Sequence, residues 1–504
     1  MKTNKIIGSL RILTVLFLAP IVFNSCTLDE NPTEGRLVPE ALNSQDALEA
    51  ATAGMYHQFT LSMQWAHYWM RSFGGDDITT HSGKNKQGFR DADQMKMSSL
   101  TSGIALAYNG PYKTIKEANN IISVRENIMG GNQEKIDAMI GEAYFLRAFC
   151  YFHLTRTFGK VPLLTSTDIP GNTDIKRSEI LEIYKQIERD FLMAESLLPV
   201  KYLGTPAAIR PNSGSARAFL AKLYMHWAGW PLKDNSKYAM AASSAKTVID
   251  NATSHGFALV PDMGTLWSVK DENRFNSEMV FGLAHNQPLN NAYSNRHTGR
   301  VGYPGDVQGW AEVFAEIGFF NDFPEGPRKD NTFRTEVVFK NETIQWEDFK
   351  DEKHPLFLKV TGYQDEIKTN NSITSMNTYS MRYADLLLYY AEAEGRSGGN
   401  SADAWEALNK VRRRANNLPI DTPDVLVDVT NGDLAELAYT ERKWELAGEY
   451  KRWDDLTRLE RVAEALANRS PEELVGPIIG DQSPSNYFAE IPESELSKAP
   501  QLRE

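Results

Sequence analysis

Cysteine is scarce in this 504-residue chain, which has only Cys26 and Cys150. Two cysteines cannot form the disulfide framework that holds small secreted domains together. Cys26 has another interpretation, which leaves one thiol. A single thiol is too few for a cysteine-based zinc site. Cys150 follows Phe149 and precedes Tyr151 and Phe152, so we predict an inert thiol in the core. A chain of this length can bury a large hydrophobic core, and its stability must come from that core.

Motifs of catalysis are also missing. The chain has no His-Glu-x-x-His metal helix and no Gly-x-Ser-x-Gly nucleophile turn. Gly83 and Gly88 have the spacing of a phosphate-binding loop, but Phe89-Arg90 follow where a lysine and a hydroxyl residue are needed. Adjacent acids such as Asp76-Asp77 do not establish the carboxyl separation of a glycosidase. We therefore predict a protein that is not an enzyme, with a surface glycosidase as the remaining catalytic alternative.

Positive charge is in deficit. The formal net charge is −12, and it becomes −15 without the first 25 residues, which hold Lys2, Lys5 and Arg11 and no acidic residue. Such a surface repels the phosphate backbone, so we expect no nucleic-acid partner. The composition, 41% hydrophobic and 24% charged, is that of a globular protein and excludes a largely disordered chain.

Long hydrophobic runs are absent, apart from a short one near the N-terminus. The run Ile12–Phe23 follows three basic residues and is too short to span a bilayer, which is typical of a signal peptide, here residues 1–25. Ser25-Cys26 resembles a bacterial lipoprotein cleavage site, so Cys26 is the expected lipidation site; a plain secretory peptide is the alternative. Residues 26–40 are acidic and turn-rich, and we predict a lipidated flexible tether there.

Helical periodicity dominates the rest of the chain. We predict helices at about 44–59, 100–123, 133–157, 177–197, 213–228, 236–250, 379–397, 402–415 and 433–464. Gly110-Pro111 should break or kink the second of these helices. The segments that begin at Phe145, Phe219 and Leu386 share small residues among large aromatics, which resembles tetratricopeptide repeats. Generic packing of amphipathic helices is the alternative.

The middle of the chain, about 251–375, has a different pattern. It is rich in Asn, Gly, Pro and aromatic residues and has little helical period. Short apolar runs at 278–283 and 357–360 predict short strands among long loops. Long loops in a compact protein are usually functional or disordered, and the aromatic content argues against disorder.

Several segments, in order, resemble the SusD/RagB family of outer-membrane nutrient-binding lipoproteins of Bacteroidetes. The resemblance rests on these stretches: Cys26–Pro32, Tyr112–Asn119, Glu142–Ala148, Phe158–Leu163, Arg382–Leu388, Glu441–Leu446, Arg452–Leu456 and Ile491–Leu496. Each motif alone is weak, whereas the ordered set covers the mature chain. The acidic pair Asp29-Glu30 also resembles the surface-export signal of Bacteroidetes lipoproteins. The middle region is where the chain departs from the family pattern.

The resemblance implies a mainly α, SusD-like fold in one domain, residues 41–504. In this domain a helical scaffold, about 41–250 and 376–465, holds a loop-rich ligand-binding region, about 251–375. It also implies a lipid-anchored protein on the surface of the outer membrane that captures an oligosaccharide and delivers it to a SusC-like TonB-dependent transporter. A RagB-like member would capture a peptide instead, and a helical-repeat scaffold that binds only protein is a further alternative.

Two loops have the residues that sugar binding needs, because aromatic rings stack on sugar faces while polar side chains bond the hydroxyls. The first loop offers Asp77, His81 and Phe89; the second, where the sequence runs from Asn290 to Trp310, offers these candidates: Tyr293, Arg296, Tyr303 and Trp310. An aromatic residue in a long loop is more often an anchor of that loop than a ligand platform. Trp65 and Trp69 are spaced as a core-facing helical pair first and as a platform second.

Charged residues in the helices have a structural interpretation. Arg147 stands among apolar neighbours, so we predict a buried donor to carboxylates or carbonyl groups. Glu441, Glu445 and Glu449 are spaced four apart, which is typical of a solvated or salt-bridged helix face rather than of a catalytic site. We expect no cofactor. The loop acids permit a structural calcium ion, although no set of residues specifies a coordination shell.

Overall fold

Helices build most of the chain in the computed structural model. The structure describes residues 42–168, 171, 174–202, 210–268, 271–286, 295–350, 352–362, 375–473 and 476–503, with only the backbone at 271 and 272. The residues from Leu42 onward belong to one compact unit. Among the residues described, no helix has the length and apolar composition needed to cross a bilayer.

The helices follow one another in the order expected from the periodicity, so the prediction of a mainly α fold is confirmed. They are α1 (Gln45–Met63), α2 (Gln87–Asp93), α3 (Ile104–Ser123), α4 (Gln133–Phe158), α5 (Ile180–Leu197), α6 (Ser213–Ala228), α7 (Lys237–Asp250), α8 (Ala252–His255), α9 (Asp271–Arg274), α10 (Ile317–Asp322), α11 (Pro327–Thr332), α12 (Leu358–Thr361), α13 (Tyr383–Arg396), α14 (Ala402–Ala415), α15 (Leu434–Glu445), α16 (Arg452–Arg458), α17 (Val462–Leu466) and α18 (Glu493–Leu496). Neighbours in sequence pack together from α3 through α7, and α13 packs on α7, α14 and α15.

Strands are short and pair two by two. They are β1 (Ile78–Thr79), β2 (Met279–Leu283), β3 (Phe314–Ala315), β4 (Phe333–Arg334), β5 (Glu336–Phe339), β6 (Glu342–Gln345), β7 (Leu356–Phe357) and β8 (Thr378–Arg382). All four ladders are antiparallel: β1 with β3, β2 with β8, β4 with β7, and β5 with β6. The β2–β8 ladder fixes the loop-rich middle to the residues that lead directly into α13.

Phe281 in β2 occupies the centre of an aromatic core. Its ring lies 4.6 Å from that of Phe145 and 5.5 Å from that of Phe149, both on α4. Phe59 of α1 and Phe219 of α6 complete the cluster at 6.2 and 5.9 Å. The pairs with Phe145, Phe149 and Phe219 are edge-to-face, and such aromatic pairs add stability beyond the area they bury. One residue of the middle region therefore joins three helices of the scaffold.

The structure confirms two predictions about buried side chains, Arg147 and Cys150. Arg147 is buried and donates to both carboxylate oxygens of Asp190, at 2.8 and 2.7 Å, and to Asn119 Oδ1. Cys150 is fully buried, and burial raises the pKa of its thiol well above the usual range. A thiol that stays protonated is a poor nucleophile, which agrees with an inert core residue.

The expected break at Pro111 does not occur, and α3 runs through it. Pro111 has no N–H to donate to the Ala107 carbonyl, so α3 lacks one helical hydrogen bond there. Gly110 allows α1 to approach closely, because a Cβ there would lie 2.6 Å from the Ser62 side chain. Tertiary contacts thus compensate for the local cost of proline.

The long helix predicted at 433–464 is wrong, because α15 ends at Glu445 and α16 begins at Arg452. Gly448 takes a left-handed φ of 72° in the intervening turn, and its N–H donates to Asp77 Oδ2 at 2.9 Å. Tyr450 also has a positive φ, of 58°. A long-range acceptor therefore stabilises a turn that the local pattern does not reveal.

Two further boundaries differ from the prediction. Residues 379–382 belong to β8, because they pair with β2, and the helix begins only at Tyr383. The predicted strand at 357–360 is extended only through Phe357, after which Leu358–Thr361 form the single turn α12. In both places the pairing partner decides where the strand ends.

Candidate functional site

Trp65 and Arg296 bring the first segment and the middle region together at the surface. Their backbones form a short parallel bridge, and the backbone N–H of Arg296 donates to the Gln64 carbonyl at 2.9 Å. The Arg296 guanidinium lies 4.6 Å from the centre of the Trp65 ring, a cation–π contact. Both side chains are half-buried, so part of each remains accessible.

His67 extends this surface. Its ring lies 6.5 Å from that of Trp65 and 4.7 Å from that of Phe89. Gly103 has a φ of 89°, and a Cβ there would lie 2.1 Å from the imidazole, so only glycine leaves room for the ring. Burial, with a smaller contribution from Lys86, lowers the pKa of His67. The neutral imidazole offers one donor and one acceptor at neutral pH.

An ion pair also joins the first segment to the middle region. Lys86 Nζ lies 2.7 Å from Glu312 Oε1, with 9% of the lysine and 14% of the glutamate side chain exposed. Burial raises the pKa of Glu312, and the opposing effect of Lys86 is smaller. We call Trp65, His67, Lys86, Arg296 and Glu312 the ledge.

Trp310 stands two residues before Glu312 in a tight turn. The backbone N–H of Trp310 donates to the Arg300 carbonyl at 2.8 Å, and the backbone N–H of Ala311 donates to the Tyr303 carbonyl at 3.0 Å. The Arg300 guanidinium lies 5.9 Å from the centre of the Trp310 ring. Trp310 is half-buried, so part of its ring is accessible.

Three predicted ligand residues lie inside the protein, which corrects their assignment as direct contacts. Phe89 and Tyr303 are 2% and 3% exposed and pack against other rings and aliphatic side chains. Asp77 is fully buried and accepts the Gly448 N–H. Burial, and next the charge of Asp76, raises the pKa of Asp77 to about 7. These residues support the loops rather than face a ligand.

The remaining predicted residues lie either near the surface or outside the described part of the chain. His81 is half-buried, and its Nε2 lies 2.7 Å from Oε1 of the fully buried Glu352. Arg296 and Trp310 lie at the surface as described above. Tyr293 and Cys26 lie outside the described residues, so their assignments stay predictions.

Sequence reasoning missed His67 and Lys86 and misplaced Trp65. Trp65 is extended rather than helical and precedes a 3-10 helix, Ala66–Gly74. Trp69 does pack inward, with its ring 5.9 Å from that of Tyr450. The spacing of Trp65 carries no signal for this difference, because the bridge to Arg296 spans more than 200 residues of sequence.

The ledge combines flat ring faces with a cation, a carboxylate and a neutral imidazole. Such a surface can stack against a ring with C–H faces and bond hydroxyl groups at its edge. Within the ranges that the structure describes, no three His, Cys, Asp or Glu side chains come together to hold a metal ion. The structural calcium ion stays a prediction.

Two family models match successive parts of the chain. The first, described as starch-binding associating with outer membrane, matches residues 28–225, and the second, described as the SusD family, matches residues 265–503. SusD-like protein P2 of Formosa agariphila is 26% identical over 481 residues, which cover 89% of this chain and 90% of that protein.

Solved structures share the fold. A SusD homologue from Bacteroides thetaiotaomicron superposes with a TM-score of 0.77 at 22% identity and covers 92% of this chain and 97% of its own. A structure determined with a xylogluco-oligosaccharide gives a TM-score of 0.71 at 22% identity, with coverage of 91% and 98%. Taken with the ordered motifs and the helical scaffold, these matches show that the chain belongs to the SusD/RagB family.

Proposed function

We propose that this protein captures an oligosaccharide at the cell surface and delivers it unchanged to a SusC-like TonB-dependent transporter in the outer membrane. The observation that carries the proposal is the ledge, where half-buried Trp65 lies under Arg296 beside His67. Family membership and the xylogluco-oligosaccharide held by a relative of the same fold support it. The mechanism is binding and release, with no covalent step.

A glycan array tests the cargo, using a soluble form that begins after Cys26. We expect one class of oligosaccharide to bind, and its binding to weaken when Trp65 is replaced by alanine. Binding of peptides with no binding of any glycan would favour the RagB-like alternative. Incubation of the protein with the bound glycan separates a binder from a glycosidase, because only the glycosidase releases shorter products.

We infer that the protein is anchored to the outer membrane by lipid on Cys26. The signal-like segment 1–25 and the Ser25-Cys26 pair support this inference. Several acyl chains hold a protein firmly, since each buried methylene contributes about 0.8 kcal/mol. The Cys26→Ala variant should lose acylation and leave the membrane fraction, and its continued association with that fraction would contradict the anchor.

The transporter partner is tested by co-purification. A tagged form of the protein should recover one outer-membrane transporter from detergent extracts of its own cells, identified by mass spectrometry. Absence of any transporter, with glycan binding intact, would argue against delivery and leave only capture.

A further inference from the structure

A groove lies in the scaffold, and none of its lining residues belongs to the ledge. It has a volume of about 450 Å³ and lies between α3, the chain after α4 and the C-terminal residues around Ala499 and Leu502. This volume falls within the range of small-molecule sites, about 300–1,000 Å³. The Tyr108 and Tyr112 rings, 5.1 Å apart, line the groove with Ile115 and Leu164.

The polar side chains inside the groove are already used by the protein. Tyr112 Oη donates to the Pro162 carbonyl at 2.7 Å, and Asn119 donates to the Leu164 carbonyl at 2.9 Å. Glu495 Oε1 accepts from Asn109 and from Lys498, each at 3.0 Å. A polyhydroxylated ligand would therefore find few open partners, whereas an apolar body can fill the space without loss of hydrogen bonds.

The edge of the groove is basic in a chain of net charge −12. Lys113 and Lys116 are exposed on α3 and, within the described part of the chain, have no ion-pair partner. Lys498 also lines the groove, where its ammonium pairs with Glu495. Glu495, the one carboxylate among the described residues of the lining, is already bonded. The edge thus complements a negatively charged head.

We propose that this groove binds a free carboxylate with a single hydrocarbon chain, its chain against Tyr108, Tyr112 and Leu164 and its carboxylate near Lys113 and Lys116. The proposal is independent of the cargo at the ledge, because the two sites share no residue. Two observed features would attract this ligand. The apolar side chains of the groove contact its hydrocarbon chain, and the ammonium groups of Lys113 and Lys116 attract its carboxylate.

Isothermal titration calorimetry with decanoate, below its micelle-forming concentration, tests the groove. Decanoate should bind with one site per chain, and octanoate more than tenfold more weakly, because each buried methylene strengthens binding about fourfold. Decyltrimethylammonium, which has the same chain and the opposite charge, should bind at least tenfold more weakly than decanoate. Equal binding of the two, or no binding of decanoate, would overturn the proposal.

Variants locate the site. Lys113→Glu with Lys116→Glu should weaken decanoate at least tenfold, whereas Lys135→Glu, an exposed lysine on α4 outside the groove, should not. Ala499→Phe fills the groove and should abolish binding, with a melting curve to show that the protein still folds. Decanoate binding that survives both groove variants would contradict the assignment.

Discussion

The helical scaffold and the loop-rich middle region are held in different ways. The helices α3 to α7 contact their neighbours in sequence, so short-range periodicity specifies both their formation and their packing. The middle region makes its decisive contacts with residues far away in the chain, as in the β2–β8 ladder. Local pattern is therefore informative about the first region and weak for the second.

Buried ion pairs show the same contrast. Arg382, fully buried at the end of β8, pairs with Glu278 beside β2, with Glu445 of α15 and with Glu449 of the following turn. Glu445 also accepts from Arg414, and these guanidinium groups lower its pKa to about 2 although burial acts the other way. The three glutamates spaced four apart thus belong to an internal charge network.

Breaking this network should have the largest effect on the middle region. Arg382→Ala leaves Glu278 and Glu445 buried with fewer cations, and we expect the free energy of unfolding to fall by about 3–5 kcal/mol. Urea denaturation followed by circular dichroism measures this change. The exposed Arg189→Ala is the matched control and should stay within about 0.5 kcal/mol of the parent. A small effect of Arg382→Ala would mean that the network is not what joins the two regions.

Removing two half-buried rings, Trp65 of the ledge and Trp310, tests the candidate site. Trp65→Ala with Trp310→Ala should weaken binding of the glycan found on the array roughly a hundredfold, since each stacked ring contributes about 0.5–1.5 kcal/mol beyond area burial. Calorimetry measures the affinity, and melting curves check the fold. Phe488→Ala, a half-buried ring that packs on Trp230, is the control. Unchanged affinity in the double variant would move the site elsewhere.

Asp77 should make stability depend on pH. Its folded pKa of about 7 lies above the usual value near 4, so between these values the folded protein keeps a proton that the unfolded chain releases. Stability from this group is complete at low pH and is lost as pH rises toward 7, by about 1.4 kcal/mol per unit. Asp77→Asn should lack this slope between pH 5 and 6, whereas the exposed Asp168→Asn should retain it. Parallel profiles for Asp77→Asn and the parent would refute the assignment.

The Lys86–Glu312 tie should give the smallest effect. The pair is nearly but not fully buried, so a double-mutant cycle with Lys86→Ala and Glu312→Ala should show a coupling of about 1 kcal/mol. Denaturant unfolding of the four proteins supplies the cycle. A coupling indistinguishable from zero would mean that this ion pair does not help to hold the two regions together.

The candidate site could be predicted only in part. The composition of the loops predicted Arg296 and Trp310 as ligand contacts, and the structure leaves both side chains half-buried. It could not separate them from Phe89 and Tyr303, which have the same residue types but lie in the interior. Burial depends on which segment covers a side chain, and for Tyr303 the covering residues Phe314 and Phe349 follow it by up to 46 positions.

The sequence by itself determined the family, the helical class and the order of the main helices, because helical period and ordered motifs are local properties. Only the tertiary structure decided that Trp65 meets Arg296, that Gly448 ends the late helix on Asp77, and that a row of glutamates is buried against Arg382 and Arg414. Each of these contacts joins residues far apart in the chain, and its energy depends on burial that exists only after folding.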